Sequence, residues 1–186
     1  MSSDAEVLRE RYDVLSDPTR LRLLDALLML GEANATTLTR AVPSAKGAVP
    51  WQMGRLEAVG LAEVVRVDGT RKVWRARDPE PVEWAAAMAE DPQLRLAVHE
   101  LERVVTLRRM WRMQRWAADR ELWPREWVDA AISRDYLLWL TPTELDQLDS
   151  RLHAAVEAAK EPSNVRHDDA EPVFISLTGF PVRAGD

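Results

Sequence analysis

The stretch GAVPWQMGRLEAVGLAEVVRVDGTRKVW, residues 47–74, decides how the whole chain reads. Its first half runs like a helix, and Gly60 is placed to end that helix. Its second half, LAEVVRV and then KVWRA, alternates as strands do, with the hairpin signal Asp68-Gly69 between them. Pro50 sits near the start of the helix. In a helix interior, proline removes a hydrogen bond and clashes with the preceding turn, at a cost of ~3 kcal/mol. In a first turn the N–H has no partner anyway, and the cost falls sharply. The helix is therefore predicted to begin late, at Val49–Pro50, or to be kinked there. PSAKGA ahead of it is then a loop or a loosely wound turn.

Upstream, a first helix is predicted over Asp4–Leu15, with Val7, Leu8 and Leu15 facing inward. LSDPTRLRLLDALLMLG is punctuated as a second helix: Asp17 as cap, Pro18 in the first turn, Gly31 at the end. Leu21, Leu24 and Leu28 recur at core-facing spacing. TTLTRAV reads as a third helix capped by Thr36 and stopped by Pro43. Three helices and a two-stranded basic wing make the winged helix-turn-helix plan. Its boundary falls in RDPEPVE, which gives a first domain over 1–78.

Residues 79–186 are predicted to form a helical dimerisation and candidate effector region. VEWAAAMAE reads as a short helix. A long helix starts at Pro92 and ends before Pro124, with Leu94, Val98, Leu101 and Val105 on an apolar stripe that runs on into Met and Trp residues. A helix of that length beside a small domain usually packs on a partner. A homodimer through 92–122 and the N-terminal helix is expected. REWVDAAIS adds a helical turn or two. A small strand-helix-strand unit closes the chain: DYLLWL, then TPTELDQLDSRLHAAVEAAK with a Thr141–Glu144 capping box, then VFISL after the exposed loop EPSNVRHDDAEP. The fold class is mainly α with a small β wing.

Charge is distributed unevenly. The chain of 186 residues carries 25 Lys+Arg and 31 Asp+Glu, a net −6 that argues against indiscriminate coating of nucleic acid. Residues 1–80 are balanced at 12 of each sign, so the acidity lies in the C-terminal half. Within 40–77, eight cations face three anions. Such a focused patch attracts polyanions. There is no cysteine, hence no disulfide and no thiolate metal site. No apolar run reaches the ~20 residues of a membrane span, and MSSDAEVLRE lacks a signal-sequence pattern, so a cytoplasmic protein is expected.

Residues 15–76 resemble the ArsR-type winged helix-turn-helix transcriptional regulators. The matching stretches are LSDPTRLRLLDAL at 15–27, VPWQMGRLEAVGLAEVVR at 49–66 and the wing DGTRKVWRA. Many members read Val-Ser-x-His-Leu-x-x-Leu-x-x-Ala-Gly-Leu-Val at the second. Val49, Leu56, Gly60 and Leu61 fit that pattern, Met53 replaces a leucine, Gln52 stands where histidine is common, and Pro50 replaces a serine. Beyond residue 80, LTPTEL and FPV look like one actinobacterial-style subgroup of these regulators.

The resemblance implies a helix that reads double-stranded DNA. Trp51, Gln52 and Arg55 are the candidate readers. Gln52 can bond adenine and Arg55 can grip guanine or a phosphate; Gln52 can equally be an ordinary exposed helix residue, and Trp51 a packing residue. The wing cations Arg66, Arg71, Lys72 and Arg75 are candidate phosphate contacts, which position without specifying sequence. Thr36, Ser44 and Lys46 join the DNA-binding set.

Many ArsR-type regulators sense metals, but here His99, His153 and His167 are scattered, and no metal or other cofactor is expected. Six of the eight tryptophans lie after residue 80. Trp111, Trp116, Trp127 and Trp139 are candidates to line an effector pocket for an apolar or cationic molecule, or else they are core and dimer packing. No catalytic motif is present, so no enzyme is expected. The function expected is that of a DNA-binding regulator, a dimeric repressor released by an unidentified signal. The alternative is a winged-helix interaction module that has lost sequence-specific DNA binding.

Overall fold

The structure, a computed structural model, describes residues 4–77, 91–163 and 170–183. In its first unit, α1 (Asp4–Leu15) leads into α2 (Pro18–Leu30), against which α3, α4 and the sheet pack. Asp17 starts α2 as its sequence suggests: Oδ1 accepts from the backbone N–H groups of Thr19 at 2.7 Å and Arg20 at 3.1 Å, and Pro18 fills the first turn. Gly31 ends it at φ 77°, its N–H reaching back to the Leu27 carbonyl.

β1 (Glu32–Asn34) follows at once, then α3 (Ala35–Ala41), a 3₁₀ turn at Pro43–Ala45, α4 (Val49–Ala58), β2 (Ala62–Asp68) and β3 (Arg71–Ala76). The cap of α3 is Asn34 rather than Thr36. The Asn34 carboxamide oxygen accepts from the Thr37 N–H at 3.0 Å, so the helix begins earlier than expected and leaves Thr36 exposed in its first turn. The sheet has three antiparallel strands, not two, in the order β1-β3-β2. Trp74 on β3 lies opposite Ala33 on one side and Val64 on the other, and an irregularity between Val64 and Arg66 skips Val65. At three residues, β1 is too short to show an alternating pattern. Gly69, at φ 65°, opens the two-residue turn of the β2–β3 hairpin. Helices followed by this small hairpin are compatible with a winged-helix-like arrangement.

The core of this unit gathers Tyr12, Leu23, Leu27, Leu38, Met53 and Leu56. The long helix α5 (Pro92–Asp119) joins it through Leu94, Ala97, Val98, Leu101 and Val104. The chain divides into two compact units, Met1–Ala117 and Ala118–Asp186. Two arginines one turn apart on α5 also grip α2. Arg112 approaches Asp25 at 2.6 Å and Arg108 donates to the same carboxylate at 2.9 Å through Nε. Burial lowers the Arg112 pKa, and the Asp25 charge pushes it back up.

The second unit holds a 3₁₀ turn at Arg120–Leu122, α6 (Arg125–Ala130) and α7 (Pro142–Ser163). The capping box of α7 forms as expected: the Glu144 carboxylate accepts from the Thr141 N–H at 2.7 Å, and the Thr141 hydroxyl accepts from the Glu144 N–H at 3.3 Å. DYLLWL and VFISL, by contrast, are not strands. Both are free of regular structure, because apolar and β-branched composition supplies only a propensity, and a strand needs a ladder partner that neither has been given within this unit. The expected strand-helix-strand unit is thus a helix flanked by unpaired stretches. The linker RDPEPVE beyond Arg77, the helix expected over 82–90, Trp84 and the His167 loop lie outside the described residues. Among the described residues no helix is long and apolar enough to cross a membrane.

Candidate nucleic-acid interface

The helix α4 starts where Pro50 can be tolerated. Gly47, at φ 81°, turns the chain after the 3₁₀ turn, Ala48 stands at the cap position, and Pro50 falls in the first turn. The first intrahelical bond, from the Gln52 N–H to the Ala48 carbonyl at 2.9 Å, lies just beyond the missing proline N–H. No kink is required.

Val49, Gln52, Met53 and Leu56 form the buried face of α4, the i, i+3, i+4, i+7 spacing of a helix lying on a core. Gln52 thus occupies an inward slot. It is 8% exposed, and its side-chain oxygen accepts from Arg20 Nη1 at 3.1 Å. It is therefore not an ordinary exposed helix residue. Arg20 joins three elements at this point. It also donates to the Val14 carbonyl at 2.5 Å and the Asp13 carbonyl at 3.3 Å, and its Nη1 lies 3.5 Å from the Asp17 carboxylate. The end of α1, the cap of α2 and the inner face of α4 are therefore fixed to one guanidinium. Burial lowers the Arg20 pKa, with Asp17 opposing the shift. Nothing in the sequence marks Arg20 out, since its partners converge only in the folded chain.

The outward face of α4 carries Trp51 and Arg55, one helical turn apart. Trp51 is 62% exposed, and Arg55 lies 4.0 Å from Glu10 and near enough to Arg20 for its charge to help lower the Arg20 pKa. Ahead of the helix, Ser44 and Lys46 are exposed, and Arg22 of α2 donates to the Ser44 hydroxyl at 3.4 Å.

The wing cations are more engaged than their sequence suggests. Arg66 is paired with Glu32 of β1 and with Asp68, Lys72 lies 3.3 Å from Glu57 of α4, and Arg75 lies 2.7 Å from Glu63. Arg77 shares Glu63 at 3.2 Å. Glu57 also accepts from the Trp74 indole N–H, which ties α4 to the hairpin. The hydrogen bond from Arg75, then the charges of Arg75 and Arg77, hold the Glu63 carboxyl below the ordinary carboxylate range, against desolvation. The Arg66 and Arg75 pKa values rise for the reciprocal reason, first through hydrogen bonds to Glu32 and Glu63. Among the described residues, Arg40, Lys46 and Arg71 have no carboxylate partner. These exposed pairs are weak, so a polyanion can displace the carboxylates.

Trp111 and Trp116 lie on α5 in the first unit, Trp111 exposed and Trp116 half-buried. Trp127 and Trp139 belong to the second unit. There Trp127 packs edge-on against Trp123, ring centres 6.5 Å apart, and Trp139 is fully exposed. Among the described residues no three His, Asp or Glu side chains cluster as a metal site would need. His99 instead faces Glu102 at 3.5 Å.

Neither protein-family models nor curated proteins match the chain. The site offers an aromatic ring and a guanidinium on the open side of a short helix, three cations with no carboxylate partner among the described residues, and a hairpin whose further cations are held by exchangeable carboxylates.

Proposed function

We propose that the protein is a DNA-binding transcriptional regulator of the ArsR type, acting as a dimeric repressor of double-stranded DNA. The observation that carries this is the outward pair Trp51 and Arg55 on α4, a helix tied through Glu57 to a basic hairpin. Arg55 supplies base or phosphate contacts, and Trp51 stacks on sugar or meets a thymine methyl. Gln52 serves as a positioning residue, holding the helix through Arg20. Lys46 and Arg71 hold phosphates directly, while Arg66, Lys72 and Arg75 do so after exchanging their carboxylates.

The dimer is supported by exposed Leu107, Met110, Trp111 and Met113, which continue α5 past its buried half. An effector acting on the C-terminal tryptophans would release the DNA. Selection of bound fragments from a random DNA pool tests the proposal: a two-fold symmetric motif is expected, and recovery of no motif from a correctly folded chain contradicts it.

A protein-interaction module is the second reading. Its own support is that Glu32, Glu57 and Glu63 already occupy most wing cations, as on a hairpin with no phosphate to bind.

A further inference from the structure

We propose that Arg22 of α2 joins Ser44 and Lys46 in a phosphate-binding site ahead of α4, and that this site takes a backbone phosphate of the duplex on the side of the groove away from the hairpin. The proposal rests on the reading of duplex DNA by α4 and adds a contact from outside that helix and the wing.

Arg22 has an acid at ion-pair spacing on its own helix, Asp25, one turn further on. That carboxylate is taken by Arg108 and Arg112 of α5, and among the described residues Arg22 has no ion pair. The exposed Arg22 side chain reaches instead to the turn before α4, where Nη1 donates to the Ser44 hydroxyl at 3.4 Å. One long bond to a neutral acceptor leaves most of the guanidinium N–H donors for a ligand. The turn presents the other two groups. Ala45, 1% exposed, pins it to the core, and its neighbours Ser44 and Lys46 are both exposed. Residues 33–56, from β1 almost to the end of α4, contain no Asp or Glu. Among the described residues Lys46 has no carboxylate partner. Positive charge at the entry to α4 is thus left open, the reverse of the hairpin, where Glu32, Glu57 and Glu63 answer the cations.

Chemistry selects phosphate. A guanidinium and an ammonium answer its charge, and the Ser44 hydroxyl, while accepting from Arg22, still has its own proton to donate. Position selects a backbone phosphate over a free one. α4 has ten residues and is ~15 Å long, with this site ahead of its first turn and the hairpin tied to its last through Glu57. A major groove is about 12 Å wide, so the site and the hairpin meet the opposite strands that border it.

Binding of wild type, Arg22→Gln, Arg22→Lys and Lys46→Gln to a selected duplex and a scrambled one, titrated across salt concentration, tests the site, with thermal unfolding to confirm that each variant is folded. Arg22→Gln and Lys46→Gln should each weaken both duplexes about three- to ten-fold at low salt and flatten the salt slope by about one unit, while Arg22→Lys keeps the slope. A second series of selected duplexes replaces one phosphate at a time by an uncharged methylphosphonate. At one position the replacement should weaken wild type and leave Arg22→Gln unchanged, which marks the phosphate that Arg22 holds. The absence of any such position overturns the proposal, and so does an Arg22→Gln variant with wild-type affinity and slope, in either case while α4 still reads DNA. A wild type that binds neither duplex removes the DNA reading itself, and this site with it.

Discussion

Arg20 on α2 donates through Nη1 to the side-chain oxygen of Gln52 on α4 at 3.1 Å. That bond lies on the buried face of α4 with Val49, Met53 and Leu56, the face that sets the rotation of the helix. With Gln52 turned in, Trp51 and Arg55 turn out. Replacing Gln52 by Ala removes one acceptor of Arg20, whose contacts with the Val14 and Asp13 carbonyls and the Asp17 carboxylate remain, and should lower the unfolding free energy by roughly 1 kcal/mol. Gln52→Glu should retain most of the stability. Urea unfolding of the two variants checks this, and an Ala variant as stable as wild type would show the bond to be idle.

Glu63 pairs with Arg75 and Arg77, where on the proposed function it would compete with phosphate. Glu63→Gln should therefore strengthen DNA binding on all sequences alike, by about three- to ten-fold at low salt, and steepen the salt dependence. Titration by fluorescence anisotropy at several salt concentrations reads both. Unchanged affinity would mean that the wing stays off the backbone.

Two pH effects follow from the same carboxylates. The Glu63 pKa is depressed chiefly by the Arg75 hydrogen bond, and that of Glu144 by bonds from the Thr141 backbone and hydroxyl. A depressed carboxyl stabilises the fold above its unfolded pKa, about 4.3, and that contribution is lost as pH falls through the lower folded value. Proton titration by NMR should place both below an ordinary glutamate. Thr141→Ala should return Glu144 towards normal and fray the start of α7, leaving Glu63 alone.

Asp25 holds α5 to α2 through Arg108 and Arg112, and its removal takes from two partly buried guanidinium groups the carboxylate they share. Asp25→Ala should destabilise the first unit by roughly 2–3 kcal/mol, and Asp25→Asn by less. Thermal unfolding measures this. Loss of α5 protection in hydrogen exchange should accompany it.

Most elements of the first unit were legible because each carries its own punctuation: Asp17 and Pro18 before α2, Gly31 after it, Asp68-Gly69 in the hairpin. The inward slot of Gln52 is legible in the periodicity alone. Val49, Met53 and Leu56 already define the stripe in which it lies. Arg20 and Asp25 were not, since their partners are 32 and 83 or more residues away. The carboxylate partners of the wing escaped for a like reason: Glu32 meets Arg66 only because β1 adds to the sheet. DYLLWL and VFISL show the converse failure, in which composition announced strands but pairing depends on a partner.

On the proposed function, the outer face of α4 reads sequence while Lys46 and Arg71 hold phosphate. Binding of wild type, Arg55→Ala and Arg71→Ala to the selected DNA site and to a scrambled site, titrated across salt concentration, separates the two roles. Arg55→Ala should lose about 1–3 kcal/mol on the selected site and little on the scrambled one. Arg71→Ala should weaken both equally and flatten the salt slope by about one unit. If wild type binds the two sites equally, and Arg55→Ala binds as wild type does, α4 does not read DNA.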